Sequence, residues 1–484
     1  MIFLSCLLSA ALLALSFPKI EWSFLAWFAL VPFLIVLDGQ RSWRAFRRAY
    51  LCGFLFFAAS LWWFVFVTYP GAILLIAFLA LYFGLFGAIF VYFQRYKPIA
   101  RIFVLSAAWV ALEFTRAHLF TGFGWVMLGH SQYKNLWLIQ IADTVGVYGV
   151  SFLVIMVNLL IFETWRARSW LRQANIAVAV LLSLVLIYGG WLTQQKENYP
   201  MIKVGIVQPN IPLAVDWDES QHPAIVAKTI QLTHQLQGQK LDLIVWPETS
   251  LPGVFSDSPF LADEVQSTAV DLKTPMLIGS VSKEQDQYYN SAFLIGADGY
   301  VQGRYDKIHL VPFGEYLPLR PILGWINKFV ELDDFTSGKT YKIFSVNQQR
   351  FGVLICFEDT LGYLRRNFAA QGAELFVNIT NDAWFRDTQA PFLHLQAAVL
   401  GCVENHRSLV RAANTGVSAL VDPWGRVIAT VVDGHGKQTF IEGSAWGSLP
   451  INHEKTFYTK YGDVFTYLCF LCILVAVVLR KWII

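Results

Sequence analysis

Charge is what this chain lacks. Asp, Glu, Lys and Arg make up 15% of its 484 residues, where soluble domains carry roughly 25%. The balance of +3 gives no global basic field, so composition offers nothing for nucleic acid to bind. Cysteine is also sparse. Cys6, Cys52, Cys469 and Cys472 lie in apolar segments, and only Cys356 and Cys402 lie in the middle of the chain. No pattern reads as a disulfide framework or as a structural metal site. His309 and His394 stand alone, and a metal site needs several converging ligands. No metal or other cofactor is expected.

Apolar length is what the chain has in excess. Hydrophobic residues reach 56% and concentrate before about residue 200 and after about residue 460. A membrane helix needs about 20 mostly apolar residues. About eight spans are expected, near 3–17, 22–37, 51–68, 72–94, 102–116, 144–162, 174–193 and 463–479. The first two are short and flank Phe17-Pro18-Lys19. The first has no basic n-region and more apolar runs follow at once, so it reads as a retained helix, not a cleaved signal. The domains expected are 1–195 (about seven spans), 201–450 (globular) and 461–484 (a final helix and short tail).

Positive charge alternates between the connections. Arg41, Arg44, Arg47 and Arg48 fill one; Arg95, Lys97 and Arg101 a second; Arg166, Arg168 and Arg172 a third; Arg480 and Lys481 end the chain. The positive-inside rule makes these loops cytoplasmic. Both termini then lie inside, and the segment from about 194 to 462 lies outside. In a bacterium that describes a multi-pass inner-membrane protein with a periplasmic domain. The loop 117–143 is rich in rings, with Phe120, Phe123, Trp125, Tyr133 and Trp137. It reads either as an interfacial belt or as a lipid-entry surface. Glu113 and Arg116, near a span end, read either as functional charges or as a simple i,i+3 ion pair.

From residue 201 the period changes. Short β-type runs appear at Val204–Val207, Leu243–Trp246, Met276–Gly279, Phe351–Ile355 and Leu375–Val377, with helical stretches at 221–237, 260–272 and 391–405. Such alternation predicts α/β layers. Asp298-Gly299 predicts a hairpin turn. Three reactive residues follow strands: Glu248 after Leu243–Pro247, Lys307 after the hairpin, and Cys356 after Phe351–Ile355. Strand ends are where such folds place reactive groups. Together they make sense as a thiol nucleophile, a carboxylate base and an ammonium that stabilises an oxyanion and lowers the thiol pKa. Each alone has a plainer reading: a buried small hydrophobe, a helix N-terminal carboxylate and a solvated surface charge.

The flanks Val-Trp-Pro-Glu248-Thr-Ser, Tyr-Asp-Lys307-Ile-His-Leu-Val-Pro-Phe-Gly-Glu315-Tyr and Ile-Cys356-Phe-Glu358-Asp resemble the Glu-Lys-Cys triad of the nitrilase (carbon–nitrogen hydrolase) superfamily. With Asn378–Phe385 and the flanking helices, the whole chain resembles the apolipoprotein N-acyltransferase family. That resemblance implies a multi-span α-helical membrane protein carrying an α/β, nitrilase-like α-β-β-α sandwich outside the cytoplasm. It implies acyl transfer from a membrane phospholipid, through a thioester on Cys356, to the α-amine of the diacylglyceryl-cysteine of an apolipoprotein, by ping-pong kinetics. Glu248 is then the general base and Lys307 the oxyanion stabiliser. Glu315 and Glu358 match supporting acidic positions. Trp217, Phe357 and Trp384 match positions near the acyl or substrate path, although Phe357 stands where the family often has Tyr. The expected partners are the phospholipid donor and the apolipoprotein acceptor, for a chain acting as a monomer without nucleic acid. A membrane-tethered amidase or nitrilase-type hydrolase, with water as acceptor, is the second enzyme reading. A decayed binding scaffold fits less well with three intact triad positions, and a transporter fits less well with spans that lack paired charges and Gly/Pro breaks.

The topology is testable by reporter fusions. Fusions at Ala45, Pro98 and Arg168 read cytoplasmic and one at Tyr300 reads external. A cytoplasmic signal at Tyr300 overturns the orientation.

Overall fold

The structure is a computed structural model and describes residues 2–168, 171–194, 199–216, 218–317 and 335–479. Trp217, Arg480 and Lys481 lie outside the described residues. The chain forms two compact units: residues 1–196, 388–404 and 456–484, and residues 197–387 and 405–455.

The first unit is helical. Among the described residues, five helices are long and apolar enough to cross a membrane: Ser42–Phe66, Tyr69–Tyr92, Pro98–His118, Ala142–Ala167 and Arg172–Gln194. The helix Arg172–Gln194 exposes Ile176, Val180, Leu184, Ile187 and Trp191. These fall three to four residues apart, one stripe along the helix. In water such a stripe is a liability; in lipid it is the expected surface. The other three apolar helical segments, Ile2–Leu15, Ser23–Leu37 and Val464–Val478, have 10–17 residues. At 1.5 Å per residue each falls short of a hydrocarbon core about 30 Å thick. Helix length therefore supports five crossings among the described residues, and the expected eight are not all met by length.

Inside such a unit, irregular backbone must find partners in the protein, because lipid offers none. Asn158, fully buried on Ala142–Ala167, supplies them for the segment 23–37. Its Oδ1 accepts from the Leu30 amide (2.8 Å), and its Nδ2 donates to the Ala26 (2.8 Å) and Val154 (2.9 Å) carbonyls. The same long helix breaks at Gly146, whose backbone lies at φ 66°, ψ −179°. Only glycine takes that conformation readily. The amide of Val147 beyond the break donates to Glu404 Oε1 at 2.9 Å.

The rings of the loop 117–143 divide between the interior and the surface. Phe123, Trp125 and Tyr133 are buried, and Phe120 and Trp137 face outward. Trp125 packs on Trp63 at 5.1 Å and Phe123 on Phe64 at 6.0 Å. Glu113 and Arg116 do not pair with each other. Glu113 Oε1 accepts from the Leu128 amide (2.7 Å) and Arg116 donates to the Trp125 carbonyl (2.9 Å), so each ties down this loop.

Among the described residues, the second unit has two six-stranded sheets. The first contains β1 (Met201–Gln208), β2 (Leu243–Val245), β3 (Met276–Glu284), β4 (Gln287–Ile295), β5 (Val301–Asp306) and β12 (Gly443–Pro450), in the order β12-β1-β2-β3-β4-β5. The second contains β6 (Ile343–Val346), β7 (Gln349–Ile355), β8 (Leu375–Thr380), β9 (Ser408–Ala413), β10 (Ala419–Val421) and β11 (Val427–Thr430), in the order β11-β10-β9-β8-β7-β6. Strands β1, β2 and β3 run parallel, as do β7, β8 and β9. The predicted hairpin joins β4 to β5, with Gly299 at φ 83°. Helices His222–His234 and Pro259–Leu272 cover the first sheet over Val207, Trp246, Ile278 and Phe293. The Trp246 indole donates to Thr233 Oγ1 at 2.9 Å within that core.

The crossover helix Ala390–Asn405 joins the parallel strands β8 and β9. Its residues up to 404 belong to the helical unit, and it is buried on every side but Phe392. A helix that is buried all round needs partners all round.

Asn158→Leu keeps the volume and removes both hydrogen-bonding groups. Two backbone groups of the segment 23–37 then stay unsatisfied, at a cost of about 1–3 kcal/mol. Thermal unfolding in detergent should show a clearly lowered Tm. An unchanged Tm shows that the segment does not depend on Asn158.

Candidate active site

Glu248, Lys307 and Cys356 all follow strands of the second unit, after β2, β5 and β7 respectively. Glu248 sits beside Gly279 of β3, where a Cβ would come within 2.7 Å of the Glu248 Cα. The missing side chain lets the Glu248 backbone lie against the sheet. Glu248 is buried, and both oxygens are held: Asn290 Nδ2 donates to Oε1 (2.7 Å) and the Asn381 amide to Oε2 (2.8 Å). Asn290 comes from β4 and Asn381 from the end of β8, so this carboxylate joins the two sheets.

Lys307 is 1% exposed. Its Nζ lies 2.8 Å from Glu315 Oε1 and 3.6 Å from Glu248 Oε1. Asn290 Nδ2 also donates to Glu315 Oε1 (3.0 Å), and the Val311 amide fixes the other oxygen (2.8 Å). Burial opposes the Lys307 charge, but Glu315 and then Glu248 outweigh it and hold the ammonium above its usual range. Burial raises the Glu248 pKa; Lys307 pulls it down and Glu315 pushes it up, and the net shift is upward.

Cys356 turns at φ 54°, in the left-handed region. A non-glycine residue there carries strain that its surroundings must impose. The same backbone turn ends β7 and starts the short helical turn Cys356–Thr360. Burial and the Glu248 charge push the thiol pKa well up, and Lys307 offsets only part of that rise. The expected lowering of the thiol pKa by Lys307 is therefore present as a contribution but loses to burial. At rest the sulfur carries its proton.

Glu358 takes a different place from Glu315. It is fully buried and accepts from four donors: the Tyr305 hydroxyl (2.9 Å), the Ile308 amide (2.7 Å), the His309 amide (2.9 Å) and the Ile355 amide (2.8 Å). It fastens the backbone beside Lys307 to the backbone beside Cys356. Burial pushes its pKa up to about 7, against those same hydrogen bonds. Phe357 is half-buried, its ring 6.0 Å from that of His309. Trp384 lies 44% exposed on the turn Asp382–Phe385. The structure also assembles residues to which the sequence assigned no role. Asn290 carries no local signal and is placed only by strand register. Asn378, Asn381 and Asp382 lie in a stretch noticed as a motif without a function for each side chain.

A model of the apolipoprotein N-acyltransferase N-terminal domain matches residues 9–160, and one of the carbon-nitrogen hydrolase matches residues 203–441. The apolipoprotein N-acyltransferase of Geobacter metallireducens is 37% identical over 96% of this chain and 93% of its own length. The chain belongs to the apolipoprotein N-acyltransferase family. Within the family, the protein of Brucella melitensis is 31% identical over 88% of this chain and 87% of its own length. An amidase from Nesterenkonia sp. overlays 56% of this chain and 96% of its own, at 17% identity and a TM-score of 0.41. Family membership makes the chain a membrane protein with a nitrilase-like α/β domain and supports N-acyltransferase chemistry.

A base is useful only as its carboxylate. With Glu248 as the base, its raised pKa would put the acid limb of activity above the ordinary 4.5 of a glutamate, and activity would be lost as pH falls through that raised value. Glu315→Gln removes the like charge, so the limb should move to lower pH by about one unit. Rate against pH for the two forms measures this. A limb that stays in place separates Glu248 from the profile.

Proposed function

We propose that the chain transfers an acyl chain from a membrane phospholipid to the N-terminal α-amine of diacylglyceryl-cysteine in apolipoproteins, through a thioester on Cys356. The observation that carries this reading is one buried ammonium, Lys307, set between two carboxylates and within electrostatic reach of a thiol on a strained turn. Family membership supports the acyl transfer and the lipoprotein acceptor. Apolar helices before and after the α/β unit suit a chain whose substrates are lipids.

In the first step the Cys356 sulfur attacks the phospholipid ester carbonyl as Glu248 takes the thiol proton. The site's net charge is unchanged, because a carboxylate becomes neutral as the sulfur becomes anionic. Charge then moves to the carbonyl oxygen, which the Lys307 ammonium stabilises. Collapse expels the lysophospholipid alkoxide, which takes the proton back from Glu248, and leaves the thioester. In the second step the α-amine attacks the thioester and gives a proton to Glu248. The departing sulfur recovers it. A thioester keeps the acyl group activated, so no nucleotide is needed. Glu248 acts here as the base, and its raised pKa brings it closer to the thiol it must deprotonate. Glu315 holds Lys307 in place and Glu358 holds the turn. Trp217, Phe357 and Trp384 are assigned to the acyl or substrate path. The catalytic domain is placed outside the cytoplasm of a bacterial inner membrane, with both termini inside, and the chain acts as a monomer.

The test uses the purified full-length chain. Phospholipid alone should add one acyl mass to the Cys356 peptide, release one equivalent of lysophospholipid, and then stall. A diacylglyceryl peptide with a free α-amine should restart turnover, and the same peptide with an acetylated amine should not. Cys356→Ala should form no adduct. Lys307→Ala should slow acylation by about 10²–10³-fold. Continuous phospholipid hydrolysis, indifferent to the amine, would replace this reading with the hydrolase.

A further inference from the structure

Behind Cys356 the second unit buries four charged side chains. Arg411 lies on β9, Asp382 just beyond β8, Asp359 in the turn that begins at Cys356, and Arg365 on the helix Gly362–Ala370. None is more than 3% exposed. Arg411 Nη2 lies 3.1 Å from Asp382 Oδ2, and its Nη1 lies 3.5 Å from Asp359 Oδ2. Arg365 Nη1 lies 3.4 Å from Asp359 Oδ1. Two cations thus balance two anions.

Arg411 also reaches the nucleophile's backbone through one amide. Leu354, Asn378 and Arg411 are register partners across β7, β8 and β9. Arg411 Nη1 donates to Asn378 Oδ1 (2.5 Å), and Asn378 Nδ2 donates to the Leu354 (3.0 Å) and Cys356 (3.3 Å) carbonyls. An asparagine amide can flip. Here the guanidinium admits only the oxygen, so the amide nitrogen must face Cys356. The strained turn is held from this side by a guanidinium with one residue, Asn378, between them.

Several charges face the thiol. Glu248 comes from the end of β2, Lys307 from the end of β5 with Glu315 behind it, and Asp382 from the end of β8; Glu358 and Asp359 belong to its own turn. The Thr380 hydroxyl donates to Asp382 Oδ1 (3.2 Å) and also lies against the thiol. Asp382 therefore opposes formation of the thiolate, and Arg411 is the cation paired with Asp382.

We infer that Arg411 is a positioning residue that offsets the charge of Asp382 against the Cys356 sulfur and, through Asn378, holds the Cys356 carbonyl in its strained turn. The inference rests on Cys356 being the reactive thiol. Its readout is the chemical reactivity of that thiol, which does not require acyl transfer to be the physiological reaction.

The experiment follows alkylation of the Cys356 peptide by iodoacetamide, in the full-length chain at one mildly alkaline pH. Alkylation is proportional to the thiolate fraction there. Asp382→Asn removes the opposing charge and should speed alkylation about tenfold. Arg411→Met takes away a cation that pairs with Asp382 and should slow it about tenfold, one pKa unit each way. Arg411→Lys keeps the charge and should stay near wild type. The double variant Arg411→Met with Asp382→Asn restores the balance, so its alkylation should return to the wild-type rate. Its acyl transfer should still show a lowered kcat with little change in KM, since Asn378 has lost its anchor. A purely structural role for Arg411 predicts that Asp382→Asn and Arg411→Met change reactivity in the same direction, and that result overturns the inference. So does a double variant as slow as Arg411→Met. If Arg411→Met does not fold, Asp382→Asn and the double variant decide: equal rates in the two mean that Arg411 offsets nothing.

Discussion

The site depends on the Lys307 ammonium. Glu248 and Glu315 both lie within ion-pair distance of it, and both accept from the same Asn290 amide. Two carboxylates so placed repel each other, and burial makes that repulsion expensive. One buried cation between them makes the arrangement tolerable. It also leaves Glu248 basic: pulled down by Lys307, pushed up by Glu315 and by burial, it settles above an ordinary glutamate. The remaining architecture brings these groups together from different strands. Asn381 ties Glu248 to the second sheet, and Glu358 ties the Lys307 segment to the Cys356 turn.

The helical unit answers to a different constraint, that every backbone group out of reach of water be satisfied from within. Asn158 does this for an irregular segment, and Glu404 for the break at Gly146. Glu404 belongs to the crossover helix between β8 and β9. The α/β sequence thus lends a helix, and one buried carboxylate, to the helical unit. This explains why Ala390–Asn405 has no polar face. In the sequence it reads as one more helix of an α/β alternation. Nothing local tells that its neighbours are other apolar helices.

Where the sequence was legible, the physics was local. The runs at Val204, Met276, Phe351 and Leu375 lie in strands because parallel strands covered on both faces must be continuously apolar. The Asp-Gly turn made its hairpin. Glu248 and Cys356 stood out because each follows such a run, and Lys307 because it follows the hairpin strand. Where it was illegible, tertiary contacts decided. Gly443–Pro450 has poor strand residues and is a strand because it pairs antiparallel with β1 over its full length. Ser408–Ala413 hides a fully buried arginine, which no hydropathy pattern offers as core. Glu315 and Glu358 look alike in sequence, yet one pairs with the ammonium and the other clamps backbone amides. The three apolar segments of 10–17 residues read as spans from composition, and only their folded lengths separate them from the other five.

The Cys356 turn has a consequence for durability. Oxidants attack thiolates far faster than thiols, and a sulfur oxidised past the sulfenic state is lost to catalysis. Enzymes that keep a standing thiolate accept that hazard in exchange for a ready nucleophile. Here burial and the neighbouring carboxylate push the thiol pKa up, which disfavours a standing thiolate. The same shift that would oblige Cys356 to call on a base would also slow its oxidation, even though part of the residue faces solvent.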